Sequence, residues 1–221
     1  MRISAALFFV TTSALLVSQA SAQTAPPAPV SGVIQAFDGK TLTVKATDGH
    51  IVTAAVAADS RILKVEPRTL ADIKPGSFIA SGGTKGPDGK IHANEIRIFS
   101  APGGEGQYPM TAPGQVMTNA TVKQVMTDAT VKQVGSAGGV PVIKLSFHGA
   151  GEPGAANCTG HATLAADGKA TGCTGETEFD VPANVAVVAW VPSDASVLKT
   201  GAKVNMAVNN GAVGRVVVTP Q

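Results

Sequence analysis

Leu70-Ala-Asp-Ile-Lys-Pro-Gly-Ser-Phe-Ile79 and Ser196-Val-Leu-Lys-Thr-Gly-Ala-Lys-Val204 share one pattern: an apolar residue, Lys, any residue, Gly, two further residues and an apolar residue. Each is followed by a Gly-centred turn and a closing run rich in β-branched residues. Self-similarity at this long spacing is what two copies of one small β unit produce. The expectation is an all-β protein of two tandem small OB-like β-barrels, with five to six strands each, rather than one large core.

Upstream of the first copy, Val33-Ile34, Thr41-Leu-Thr-Val-Lys45 and Ile51-Val-Thr-Ala-Ala-Val56 are short β-rich runs separated by Asp38-Gly39 and Asp48-Gly49. Asp-Gly between such runs signals a hairpin, because both turn positions favour positive φ. Arg61 to Val65 reads as a further strand and Arg68 to Asp72 as a single helical turn. Lys74-Pro75-Gly76 leads into Phe78-Ile79, and Pro87-Asp88-Gly89 turns into Ile91 and Ile96 to Phe99. Five or six strands in about 70 residues is the size of a small, partly open barrel, with a flat sandwich as the competing architecture.

These runs place module one at 31–100 and module two at 117–221. Between them, Ala101 to Gln115 holds four glycines and three prolines, so 101–116 reads as a linker. Met117-Thr-Asn-Ala-Thr-Val-Lys-Gln-Val125 is then repeated as Met126 to Val134, with Asp128 in place of Asn119. Only one copy can start module two, and the other must extend that strand or pair along an edge. Val140 to Phe147, Glu178 to Val181, Val185 to Val191, Lys203 to Val208 and Gly214 to Thr219 supply the remaining strands, with an Asn209-Asn210-Gly211 turn near the end. An insertion over 149–176 interrupts them.

Met1 to Ala22 has the form of a secretory signal: Arg2, an apolar stretch from Ala5 to Val17, and Ala20-Ser-Ala22 as the cleavage pattern. Cleavage after Ala22 would send the chain to the periplasm, with residues 23–30 as a proline-rich, extended lead-in and no membrane span in the mature chain. A formal net charge of +2, with aromatics at 4%, argues against long-range steering to nucleic acid and against an aromatic nucleic-acid platform.

Cys158 and Cys173, the only cysteines, flank a turn at Asp167-Gly168, which points to a disulfide clipping a hairpin in an oxidising compartment. The sharper reading takes Cys158, His161 and Cys173 as metal ligands, a set that lacks a fourth member at the usual spacing. His50, His92, His148 and His161 form no short-spaced pair. Glu178 and Asp180 lie two apart on a strand and share a face, with no nucleophile nearby. Phosphate loops, nucleophile elbows and zinc-protease motifs do not occur, so the reading is non-enzymatic, with no catalytic residue and no cofactor. Trp190, the single tryptophan, is expected to pack in or across the second core. Glu105, Tyr108 and Met110 stand in the irregular segment Gly103 to Met110, where an aromatic has no periodic face to bury it. They are the candidate binding residues, a plug between the modules being the competing role.

Thr41 to Lys45, Leu70 to Phe78, Gly104-Glu-Gly-Gln-Tyr-Pro-Met110 and Met117 to Val122 together resemble an uncharacterised proteobacterial periplasmic protein family with tandem small β-barrel domains of unknown function. The resemblance implies the same tandem architecture over most of the mature chain. It implies no catalytic residues. The expected function is that of an exported, non-enzymatic binding or structural protein whose partner is another envelope protein and not a nucleic acid. The alternative is a periplasmic small-molecule or metal-binding carrier.

Overall fold

The Asp-Gly turns adopt the geometry their chemistry requires. Gly39, Gly49 and Gly89 have φ of 94°, 95° and 80°, a region open to glycine at no steric cost. At the first turn the Asp38 carboxylate accepts from the Lys40 and Thr41 amides at 2.8 and 2.7 Å. In the computed structural model residues 29–126 and 139–219 are described. The signal and most of the lead-in, together with residues 127–134 of the second nonapeptide, lie outside them.

The first half of the chain contributes β1 (Val30–Phe37), β2 (Thr41–Ala46), β3 (Ile51–Ala55) and β4 (Arg61–Arg68). A single 3-10 turn at Leu70–Asp72 then leads to β5 (Phe78–Lys85) and β6 (Ile91–Phe99). The segment read as a linker carries β7 (Gly106–Pro109), and β8 (Gln115–Met126) follows. Next come β9 (Val142–Gly149), three two-residue strands β10 (Gly160–His161), β11 (Thr163–Leu164) and β12 (Ala170–Thr171), then β13 (Cys173–Asp180) and β14 (Ala186–Pro192). A second 3-10 turn at Ala195–Val197 precedes β15 (Lys203–Asn209) and β16 (Ala212–Thr219).

The chain is all-β, but its strands join into one 14-stranded mixed sheet rather than two separate tandem units. Within it, β1 pairs with β2 and β15, β2 with β3, and β15 with β16, while Ala55 of β3 meets Ala212 of β16 in parallel. This closes a ring of β1, β2, β3, β16 and β15. A second ring runs β5, β6, β13, β9, β8, and is closed by the parallel pairs Phe179–Ile91 and Asp180–His92. Each ring draws strands from both halves of the sequence. Between them β4 and β14 run antiparallel, Leu63 opposite Pro192 through Arg68 opposite Val187, with β16 alongside β4 and β6 alongside β14.

The apolar interior divides the same way. One cluster gathers Ile34, Leu42, Val44 and Ala54 from the start of the chain with Leu198, Val204, Met206 and Val216 from its end. The other combines Ile73, Ile79 and Ile96 with Val122, Ile143, Leu145, Phe147 and Phe179. Strict alternation explains the second: on β9, Ile143, Leu145 and Phe147 are buried and their neighbours are not. On β16 the Val run is buried at 216, 217 and 218 in succession, because both faces of that strand are covered.

Candidate binding site

The register of the central strands brings together side chains that are far apart in sequence. Trp190 on β14 lies beside Phe99 on β6 and opposite Val65 on β4. Since Val187 and Ala189 are buried and belong to the alternate face, Trp190 points away from the cores, and it belongs to neither apolar cluster. The expected packing of Trp190 in the second core is therefore corrected. Its ring meets Phe99 edge-on at 5.4 Å, and Phe99 in turn packs on Phe78 at 6.1 Å.

Two guanidinium groups converge on the same indole: Arg97 at 5.2 Å and Arg215 at 5.4 Å from the ring centre. Stacking of this kind holds a guanidinium by its face and leaves the in-plane N–H donors at its edge available. Arg97 donates through Nε to the Glu95 carboxylate. Arg215 has no such partner among the described residues, and its Nε is buried without a hydrogen bond. Arg61 is its direct parallel neighbour on β4. Burial, and then the charges of Arg61 and Arg97, pull the Arg215 pKa below its ordinary value.

A trough of about 460 Å³ runs past Trp190, lined by Glu95, Arg97, Val188, Lys203, Asn205 and Val217 among others. It continues past the same Glu95 and Arg97 into a depression of about 170 Å³ beside Met110 and Met117. Of the sequence candidates, Met110 lines this smaller depression. Tyr108 stacks on His161 at 4.0 Å and its hydroxyl accepts from Asn119 Nδ2 at 3.3 Å. Glu105 turns elsewhere, accepting from the His148 amide at 2.7 Å with its ring Nδ1 at 2.8 Å. The structure therefore does not gather Glu105, Tyr108 and Met110 into one site. Arg97, Trp190 and Arg215 were not grouped by the sequence reading, because their proximity depends on which strands pair. A lone tryptophan in a run of Val and Ala was the one signal available.

Cys158 and Cys173 are joined as a disulfide with Cα atoms 5.6 Å apart, so neither is a thiolate ligand. A separate group, Asp88, His92 and Asp180, sits at the seam of β6 and β13 with one possible ligand atom from each lying within 4.8 Å of the others. Lys90 Nζ already lies 3.3 Å from the near-buried Asp180 carboxylate. Glu178 pairs with Lys144 at 2.9 Å, and a wide depression of about 550 Å³ across β8, β9 and β13 is lined by this pair together with Lys123–Glu176. Its charges neutralise one another, as on a solvated sheet face. No helix among the described residues is long and apolar enough to cross a membrane.

Comparison with known proteins returned no match to a family model, a curated protein or a solved structure.

Proposed function

We propose that the chain is an exported, periplasmic, non-enzymatic binding protein whose ligand-facing surface is the trough centred on Trp190. In this reading the two strand rings are small OB-like barrels that have exchanged hairpins, and the partner is another component of the envelope. One observation carries the proposal: Arg97 and Arg215 both lie over the ring of Trp190, an aromatic side chain that lines the trough. A guanidinium held by its face keeps N–H donors at its edge for an acceptor from outside.

The test places a photo-crosslinking residue at Asn205, inside the trough, and separately at Glu176, on the self-neutralised face. In native periplasm the Asn205 variant should give a defined adduct and the Glu176 variant none. Equal labelling from both positions, or none from Asn205, would overturn the proposal. Elemental analysis of protein isolated from the periplasm separates the carrier alternative. Stoichiometric metal without an Asn205 adduct would move the function to Asp88, His92 and Asp180.

A further inference from the structure

We infer that the surface around Trp190 takes a phosphate-bearing ligand of at least two negative charges, held by Arg97, which lines the trough, together with Arg215, which lies over the same indole, and Arg61, its neighbour on β4. This deepens the binding reading above and rests on it. Like charges directly opposite on neighbouring strands are destabilising, yet Arg61 and Arg215 are in register on β4 and β16. Arg97 shares the Trp190 indole with Arg215, and Lys203 stands further along the trough. Glu95 is the one carboxylate lining it, and it is engaged with Arg97 Nε. Glu66 does not help, since it pairs with Lys64 and Arg68 on the alternate face of β4.

A monovalent anion would leave most of this repulsion in place. Guanidinium edges match the oxygens of phosphate bidentately, and groups offered from three strands, β4, β6 and β16, suit the tetrahedral oxygen array of phosphate better than the two coplanar oxygens of a carboxylate. The floor beneath them is apolar: Leu63 and Val217 are buried cross-strand neighbours that belong to neither core. It limits competing water, which strengthens charge pairing above it.

Because Trp190 is the sole tryptophan, its emission reports on this site alone. The full mature chain is titrated at constant ionic strength with inorganic pyrophosphate, orthophosphate and citrate. Pyrophosphate should give a saturable emission change and raise the melting temperature, with orthophosphate weaker. Arg215→Gln and Arg61→Gln should each weaken pyrophosphate binding roughly tenfold or more, the scale of one charged hydrogen bond. Arg61→Gln, at an exposed position, should leave the melting temperature of the free protein unchanged or higher, since it relieves repulsion. Citrate binding as tightly as pyrophosphate would overturn the phosphate assignment. So would the absence of any saturable change up to about 10 mM, a concentration far above useful affinity, or binding indifferent to both substitutions. A defined Asn205 adduct alongside such a negative titration would leave the binding reading standing and remove this inference alone.

Discussion

The Gly76 amide donates to the Val122 carbonyl at 2.8 Å, and the Val122 amide returns a hydrogen bond to Ser77 at 2.8 Å. The same arrangement recurs with Gly201 donating to Ile34 at 2.9 Å and Ile34 donating to Ala202 at 3.0 Å. Gly76 and Gly201 have φ of 87° and 88°, and the apolar residues three positions earlier, Ile73 and Leu198, are both buried. The two stretches that share a sequence pattern are thus equivalent in structure. The first docks on β8 and the second on β1.

Rings that each draw strands from both halves of the chain predict that the halves are inseparable. Residues 101–104 are exposed, and proteolysis there should leave two fragments that co-elute as one folded particle. Parted in denaturant, neither fragment should fold alone, because each apolar cluster needs strands from both; mixing should restore the native circular dichroism. Two folded halves eluting separately would contradict the pairing.

The elements were legible from local chemistry. Asp-Gly and Asn-Gly turns, alternation on β9, and the turn before Lys74-Pro75-Gly76 all fall where the residues place them. The docking of Gly76 on β8 and not on β1 was not legible, because Gly76 would make the same bonds with Ile34 as with Val122, and both are buried β-branched apolar residues. What separates the alternatives is reach. β4 is eight extended residues, roughly 26 Å at the usual rise, and it carries the chain away from β1, β2 and β3 before the next turn begins. β14 does the converse. The trough inherits this: Arg97, Trp190 and Arg215 meet only because β6, β14, β4 and β16 end up side by side.

Gly175 faces the ring of Phe147 across β13 and β9. A Cβ there would lie 2.4 Å from Phe147 Cζ, and that ring is buried in the same apolar cluster as Leu145 and Ile143. Gly175→Ala should therefore destabilise by about 1–3 kcal/mol, the usual cost of overpacking. Gly82→Ala is the matched control, since its Cβ would first meet Met110 Sδ at 3.8 Å. Chemical denaturation of both variants should separate them clearly, and equal midpoints would refute the packing argument.

The disulfide closes a loop of 15 residues, for which the chain-entropy estimate is about 3 kcal/mol. Cys173 is fully buried and Cys158 packs against the cluster around Phe147, whereas most of the excursion between them is exposed. Reduction should lower the melting temperature and raise amide exchange over 150–172 before it affects β9 or β13. Exchange rising first in β1 or β15, which belong to the other ring, would show that the clip acts elsewhere.

Acid sensitivity should come from the turns. The Asp72 carboxylate accepts from the Thr69 amide at 2.7 Å and its hydroxyl at 2.9 Å, and these bonds, the amide's first, hold its pKa below the ordinary 3.8. Asp194 is held below 3.8 by the Ser196 hydroxyl and then by its amide, which donates at 2.8 Å. A folded pKa below the unfolded one contributes stability that is fully present above the unfolded value and is lost as pH falls through the folded one. The melting temperature should thus hold from neutral pH down to about 5 and fall below about 4. Asp72→Ala and Asp194→Ala should each lower it at neutral pH, with the gap from the parent closing under acid as the parent's own carboxylates protonate. A gap that stays constant across the titration would mean that these caps act through shape and not through charge.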